Sequence, residues 1–165
     1  LALHAKRNTV FPELPRFGLR LFLPQEMSQV NYYGMGPMEC YRDKHHAASH
    51  SSYTATVWQL HEDYIRPQEN GSHFDCDYVM LAGDAVRLTA VGTQPFSFNA
   101  SHYTQEELTR KAHNYELEPC GSTVLCLDYA QNGIGSESCG PRLLEQYRLD
   151  DATFNFGLRL FPEKK

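Results

Sequence analysis

The sequence predicts an all-β protein, an antiparallel sandwich with one short helix, and three observations carry that prediction. Apolar residues recur at every second position through segment after segment, the spacing that turns one face of a strand toward a core. Aromatic residues make up 12% of the 165-residue chain, with ten Tyr and nine Phe, and such residues favour strands. Gly, Pro and Asn break the pattern at short intervals, while only one stretch carries a helix start signal. The length is enough for a sizeable core, and neither a repeat nor a composition shift divides residues 1–165, which read as a single domain or a large piece of one.

Taken in order, residues 1–6 alternate as a first strand, and the prolines of 11–15 make a stiff connector. Residues 16–24 form a second strand, with Phe17, Leu19, Leu21 and Leu23 on one face. Its other face carries Arg16, Gly18, Arg20 and Phe22 and is at least partly covered. Residues 30–33 are a short strand that Gly34, Gly36 and Pro37 turn aside. Residues 53–60, including the single Trp58, form another strand. Asn70-Gly71 then marks a turn before a strand over 72–81. Gly83-Asp84 is a turn, and 87–91 and 96–99 are two short strands separated by Gly92 and Pro95. The helix spans 104–113, where Thr104 and Glu107 have the spacing of a capping box and Arg110 and Lys111 suit a C-terminal end. Residues 115–118 and 123–129 are strands, and 152–161 close the fold with Phe154, Phe156, Leu158 and Leu160 on one face.

The formal charge is −5 and no Lys/Arg run occurs, so nucleic acid and anionic membranes are not expected partners. No apolar run reaches the roughly 20 residues of a membrane helix. The chain starts at Leu1 and reads as an excised fragment, so a missing leader says little about export. Five cysteines, Cys40, Cys76, Cys120, Cys126 and Cys139, are an odd, scattered set, which fits reduced and mostly buried thiols better than a metal site or bridges.

Chemistry-bearing residues concentrate in two places. Glu39, Tyr41, Arg42 and Asp43 follow a glycine turn among aromatics, a composition that suits either sugar contacts or a buried charge network, and burial favours the network. His45, His46 and His50 lack the helical spacing and acid of a metal centre, so no metal ligands are assigned. Glu62, Asp63, Glu69, Asp75 and Asp77 cannot be paired across a fold from spacing alone, and no catalytic residue is assigned from them. Asn70 and Asn99 match the glycosylation acceptor pattern, a weak signal. The second place is 132–141, a shaped loop after the buried run 124–127, bearing Gly135, Ser136, Glu137, Ser138 and Cys139. A functional surface and a structural crossover both fit such a loop.

Five motifs then occur in order: LPRFGL at 14–19, YGMGPMECYRD at 33–43, PQENG at 67–71, FNASHY at 98–103 and GIGS…CGP at 133–141. Together they resemble the C-terminal domain of large bacterial β-galactosidases of glycoside hydrolase family two. The resemblance implies a partial antiparallel supersandwich of the galactose mutarotase kind, belonging to a longer retaining glycosidase. It places the two catalytic glutamates, and any Mg²⁺, in a barrel domain absent from this chain. The domain's partners would be that barrel, a galactoside substrate such as lactose and further copies in a homo-oligomer, and the location cytoplasmic, with export left open. In such relatives the loop matching 133–141 offers a tryptophan to the sugar. Cys139 stands at that place here and the loop is one residue shorter, so Gly135–Cys139 are expected to line the substrate pocket by shape rather than by stacking. The motif around Glu39 is expected to brace the domain, and Asn99 and Ser101 to bond local backbone. The alternatives are a non-catalytic carbohydrate-binding module and a mutarotase-like isomerase.

Overall fold

The computed structural model describes residues 1–134 and 141–165. Its strands are β1 (Ala2–Lys6), β2 (Arg16–Pro24), β3 (Gln29–Gly36), β4 (Ser49–Thr56), β5 (Ser72–Ala82), β6 (Val86–Ser101), β7 (Ser122–Gln131) and β8 (Thr153–Lys164), and every pairing is antiparallel. The fold is all-β, as the alternation predicts.

The 16-residue β6 is the spine. One edge pairs with β5 along both halves, and β5 continues outward to β3 and β4. The opposite edge is divided. Residues 86–92 pair with β8, which carries β1, whereas residues 97–101 pair with β7, which carries β2. The two wings fold toward each other through aromatic rings. Phe17 of β2 stacks on Phe154 of β8 at 4.7 Å, and Tyr129 of β7 meets Phe154 and Phe156 edge-on at 5.5 and 6.2 Å. A core of Tyr32, Val79, Leu81, Phe96, Phe98, Leu125, Leu127, Phe156 and Leu158 lies beneath. Burying each large apolar side chain contributes about 1.5–3 kcal/mol, so this alternation is what specifies the register.

Five elements differ from the sequence reading. Gly34 and Gly36 do not break β3. A Cβ at Gly34 would fall 2.3 Å from the Cys76 sulfur, so glycine there admits a close strand neighbour rather than a turn. Gly92 and Pro95 do not divide β6, because the register with β5 jumps from Val91–Tyr78 to Phe96–Cys76. The missing proline amide falls in that bulged stretch, where the ladder does not require it. The strand predicted over 53–60 ends at Thr56 and passes into a 3₁₀ turn, Val57–Leu60, closed by reciprocal Thr56 and Gln59 bonds of 3.2 and 2.8 Å. Residues 115–118 are not a strand. The Glu116 carboxylate accepts from the amides of Ala112 and His113 and curls the chain into a 3₁₀ turn, Asn114–Glu116. The same diversion shortens the predicted helix to α1 (Gln105–Arg110), capped by Thr104 accepting from the Glu107 amide at 3.1 Å.

Candidate functional site

Gly135, Ser136, Glu137, Ser138 and Cys139 lie outside the described residues, and what the structure shows is how the chain is fixed on either side of them. Asn132 donates its amide to Pro15 O at 2.9 Å and accepts from the Leu149 amide at 2.9 Å. Gly133 donates to Tyr147 O at 3.1 Å, and Ile134 donates to the Asp43 carboxylate at 3.0 Å. Gly133 is required by proximity, since a Cβ would sit 2.5 Å from Leu143 Cδ1 and 2.7 Å from Asp43 Cγ. On the far side, Leu143 and Leu149 are buried, while Arg148 reaches Leu143 O at 3.1 and 3.2 Å. Arg42 donates to Arg148 O at 3.1 Å. Glu13 has a buried oxygen without a hydrogen bond among the described residues, and Arg148 and Arg142 neutralise it from 3.7 and 3.9 Å. Leu144, next to buried Leu143, is 63% exposed.

Beneath these flanks four of the five sequence motifs meet. Arg16 forks onto Asp128 through Nη2–Oδ2 at 2.6 Å and Nε–Oδ1 at 3.3 Å, and also holds Glu69. Gln131 donates to Asp128 at 3.0 Å. Beside them Glu39 accepts from Lys44 at 2.7 Å, Tyr41 at 3.2 Å, the Gly71 amide at 2.9 Å and the Tyr64 hydroxyl. A network around Glu39 is therefore present and joined to the 67–71 motif through Gly71, but of the expected members only Tyr41 takes part; its cation is Lys44, while Arg42 bonds Arg148 O and Asp43 the Ile134 amide. Tyr41 is the wall between two shallow clefts of about 260 and 320 Å³. One reaches toward Phe96 and Tyr129; the other is lined by Arg16, Glu69, Asn132 and Ile134.

The electrostatics suit holding rather than proton transfer. Burial opposes ionisation of Glu39, but the hydrogen bonds from Lys44, Tyr64 and Gly71 outweigh it and keep the carboxyl below its ordinary range. Burial likewise opposes charge on Arg16, yet the field and hydrogen bonds of Asp128 outweigh it and hold the guanidinium above its usual value. Asp128, almost wholly buried, is pushed upward by desolvation despite Arg16 and Gln131. The two-bonded fork satisfies both carboxylate oxygens, the geometry of an ionised pair. Glu69 and Asp128 both spend their charge on one guanidinium.

Sequence reasoning gave no role to Arg16, Lys44 or Tyr64. The available signal was Arg16 itself, an arginine on a partly covered strand face that needs a carboxylate. The other candidates disperse. His50 bonds Asp75 O at 2.9 Å, and His45 and His46 pack on each other at 4.9 Å. Among the described residues no three His, Cys, Asp or Glu converge to hold a metal ion. Cys40, Cys76 and Cys126 are buried free thiols and Cys120 is exposed. Asn70 and Asn99 are buried, and Asn99 bonds distant Asn70 O rather than local backbone, which removes both as acceptor sites in the folded chain. Ser101 does bond locally, accepting from the Tyr103 amide at 3.0 Å. No helix among the described residues is long and apolar enough to cross a membrane.

Residues 1–160 match the family described as the beta galactosidase small chain. The chain is 49% identical over 162 residues to a beta-galactosidase of Actinobacillus pleuropneumoniae, covering 98% of this chain and 16% of that protein. It is 43% identical over 155 residues to one from Staphylococcus xylosus, covering 94% and 16%, and 32% identical over 146 residues to one from Kluyveromyces lactis, covering 88% and 14%. The chain thus spans about a sixth of the length of these relatives, 14–16%. With seven of the eight strands and most of β8 inside the matched residues, the chain belongs to the beta galactosidase small chain family.

Proposed function

We propose that this chain is the C-terminal domain of a retaining β-galactosidase that hydrolyses terminal β-D-galactosides such as lactose, and that it shapes the rim of the active site without supplying a catalytic group. The observation that carries the proposal is the family match over 160 residues, joined to relatives named beta-galactosidase that are about six times longer. A retaining mechanism needs two carboxyl groups roughly 5 Å apart across the scissile bond. Glu69 and Asp128 are spent on Arg16, and Glu39 on its own donors, so the catalytic pair is assigned to the remaining polypeptide. Any Mg²⁺ belongs there too. The role of this domain is to present Gly135–Cys139 to the sugar from a base fixed by Asn132, Gly133, Ile134 and Leu149. A cytoplasmic homo-oligomer is the proposed setting.

The test is to assay lactose cleavage by the 165-residue chain alone and after reassembly with the remainder of the polypeptide. Turnover only in the reassembled enzyme is expected; cleavage by the chain unaided overturns the proposal. In the assembled enzyme, Cys139→Ala and Cys139→Trp are expected to change the KM for lactose and the ratio of galactosyl transfer to hydrolysis. Unchanged kinetics in both variants removes the rim role.

A further inference from the structure

A second surface, outside the frame just described, has the chemistry of a ligand site. Trp58 is 49% exposed although its neighbours Val57 and Leu60 are buried. The 3₁₀ turn that bears it is clamped by the Thr56–Gln59 box, and its first amide is tied to Ser28 O at 2.9 Å. The indole rests on the buried His102 ring at 4.7 Å and meets Tyr103 edge-on at 5.9 Å. His102 is itself fixed, its backbone carbonyl accepting from the Cys120 amide at 2.9 Å. Trp58 is therefore held outward on a rigid support, and little side-chain freedom remains to be lost on binding.

The rim is polar. His61 packs on Tyr103 at 5.0 Å and approaches the Asp63 carboxylate at 3.5 Å. Burial keeps the His61 imidazole below its usual pKa, and burial with Asp63 and Glu107 nearby raises the Tyr103 phenol, so near neutral pH both are uncharged. Neither the Trp58 indole N–H nor the Tyr103 hydroxyl hydrogen-bonds a described residue. The patch thus offers a half-exposed aromatic face, an N–H and an O–H donor without a partner among the described residues, an imidazole and an acceptor carboxylate, linked neighbour to neighbour at 5.9, 5.0 and 3.5 Å.

We propose that Trp58, Tyr103, His61 and Asp63 form a saccharide-binding platform, distinct from the 135–140 segment, that takes a neutral galactopyranoside. The contiguous C–H face of that sugar suits the indole, and its hydroxyl edge suits Asp63, His61 and Tyr103. Anionic ligands are disfavoured by Asp63 and the adjacent Glu62. A stable protein contact needs about 800 Å² from each partner, far more than one half-exposed indole and its rim, which favours a single small ring. The choice of galactoside rests on the proposed function; the platform itself rests on the geometry.

The single tryptophan makes the test direct, because all indole emission from the chain comes from Trp58. Titration of the 165-residue chain with methyl β-galactoside and with lactose is expected to give a saturable emission change with a dissociation constant on the order of millimolar. Saturation-transfer NMR is expected to show contact at the sugar's C–H face, falling at least fivefold in Trp58→Ala and about twofold in Asp63→Asn. Circular dichroism checks that the variants fold. If Trp58→Ala does not fold, wild-type emission and Asp63→Asn decide. A flat titration overturns the proposal, as does a response equal to that of sorbitol. An emission shift on adding the remaining polypeptide, with no sugar response, would make the patch a domain contact and also overturns it. None of these outcomes bears on whether the reassembled enzyme cleaves lactose, so the two proposals fail separately.

Discussion

Glu39 accepts four hydrogen bonds, from Lys44, Tyr41, Tyr64 and the Gly71 amide, while almost wholly out of solvent. Removing one member of such a set leaves the others desolvated and unpaired, so Glu39→Ala is expected to destabilise by about 3–5 kcal/mol in urea unfolding. Glu39→Gln, which keeps an acceptor but loses the charge, is expected to cost about 1–3 kcal/mol. The carboxyl sits below its ordinary range, so its contribution is complete above the unfolded value of about 4.3 and is lost as pH falls through the folded pKa. His73 acts in a higher window. Burial lowers its pKa to about 4, its Nε2 has no hydrogen-bond partner among the described residues, and its ring stacks on Phe98 at 5.1 Å. The unfolded chain binds the proton first, near 6.5, so stability is full above that pH and falls between 6.5 and about 4. The loss is on the order of 3 kcal/mol, and His73→Phe is expected to flatten that part of the difference between pH 7 and pH 5. Parallel pH profiles for the two proteins would remove His73 from the account.

At the scale of elements, the strand that starts with Arg16 and the strand that ends with Gln131 are joined twice, by their ladder and by the Arg16–Asp128 fork. Arg16→Met would leave Asp128 buried without its counter-charge and is expected to cost about 3–5 kcal/mol. Gly133→Ala, pressed against Leu143 and Asp43, is expected to cost about 1–3 kcal/mol and to speed hydrogen exchange at the Ile134 and Leu149 amides ahead of global unfolding. Uniform exchange across the chain would argue against a locally fixed base. The strands were legible because apolar pattern reports burial directly: β2 and β8 follow the period-two alternation of Phe17–Leu23 and Phe154–Leu160, and β7 follows the continuous apolar run Val124–Leu127. Gly34, Gly92 and Pro95 misled because local propensity cannot see which neighbour approaches or where a ladder shifts. The partners within the frame were not legible. Arg16 and Asp128 are 112 positions apart, and only the fold brings them together. Trp58 read as one position in a strand, whereas Thr56 caps a turn that throws it outward.

Across the described residues, β1, β2 and β4 each pair along one edge only, leaving three rows of backbone donors and acceptors without a strand partner there. The ends of β2, β6 and β8 also enclose an apolar groove of about 530 Å³, lined by Leu23, Met27, Val86, Leu88 and Pro162. Open strand edges next to apolar surface recruit further chain, and natural sheets blunt them with charge or cover. β2 carries one solvent-facing charge, Arg20 paired with Glu106, but Leu19, Leu21 and Leu23 share the strand with Phe22, which is 56% exposed. The 165-residue chain on its own is therefore expected to self-associate as its concentration rises, with the apparent mass in light scattering climbing above 18.9 kDa. Leu23→Lys and Leu88→Lys together place two charges at the groove and are expected to shift the equilibrium toward monomer at equal concentration. Salt should then restore part of the association by screening those charges, whereas contacts made through strand edges alone would respond to neither change. A strict monomer at high concentration in the unaltered chain would mean that its own side chains already cover these edges.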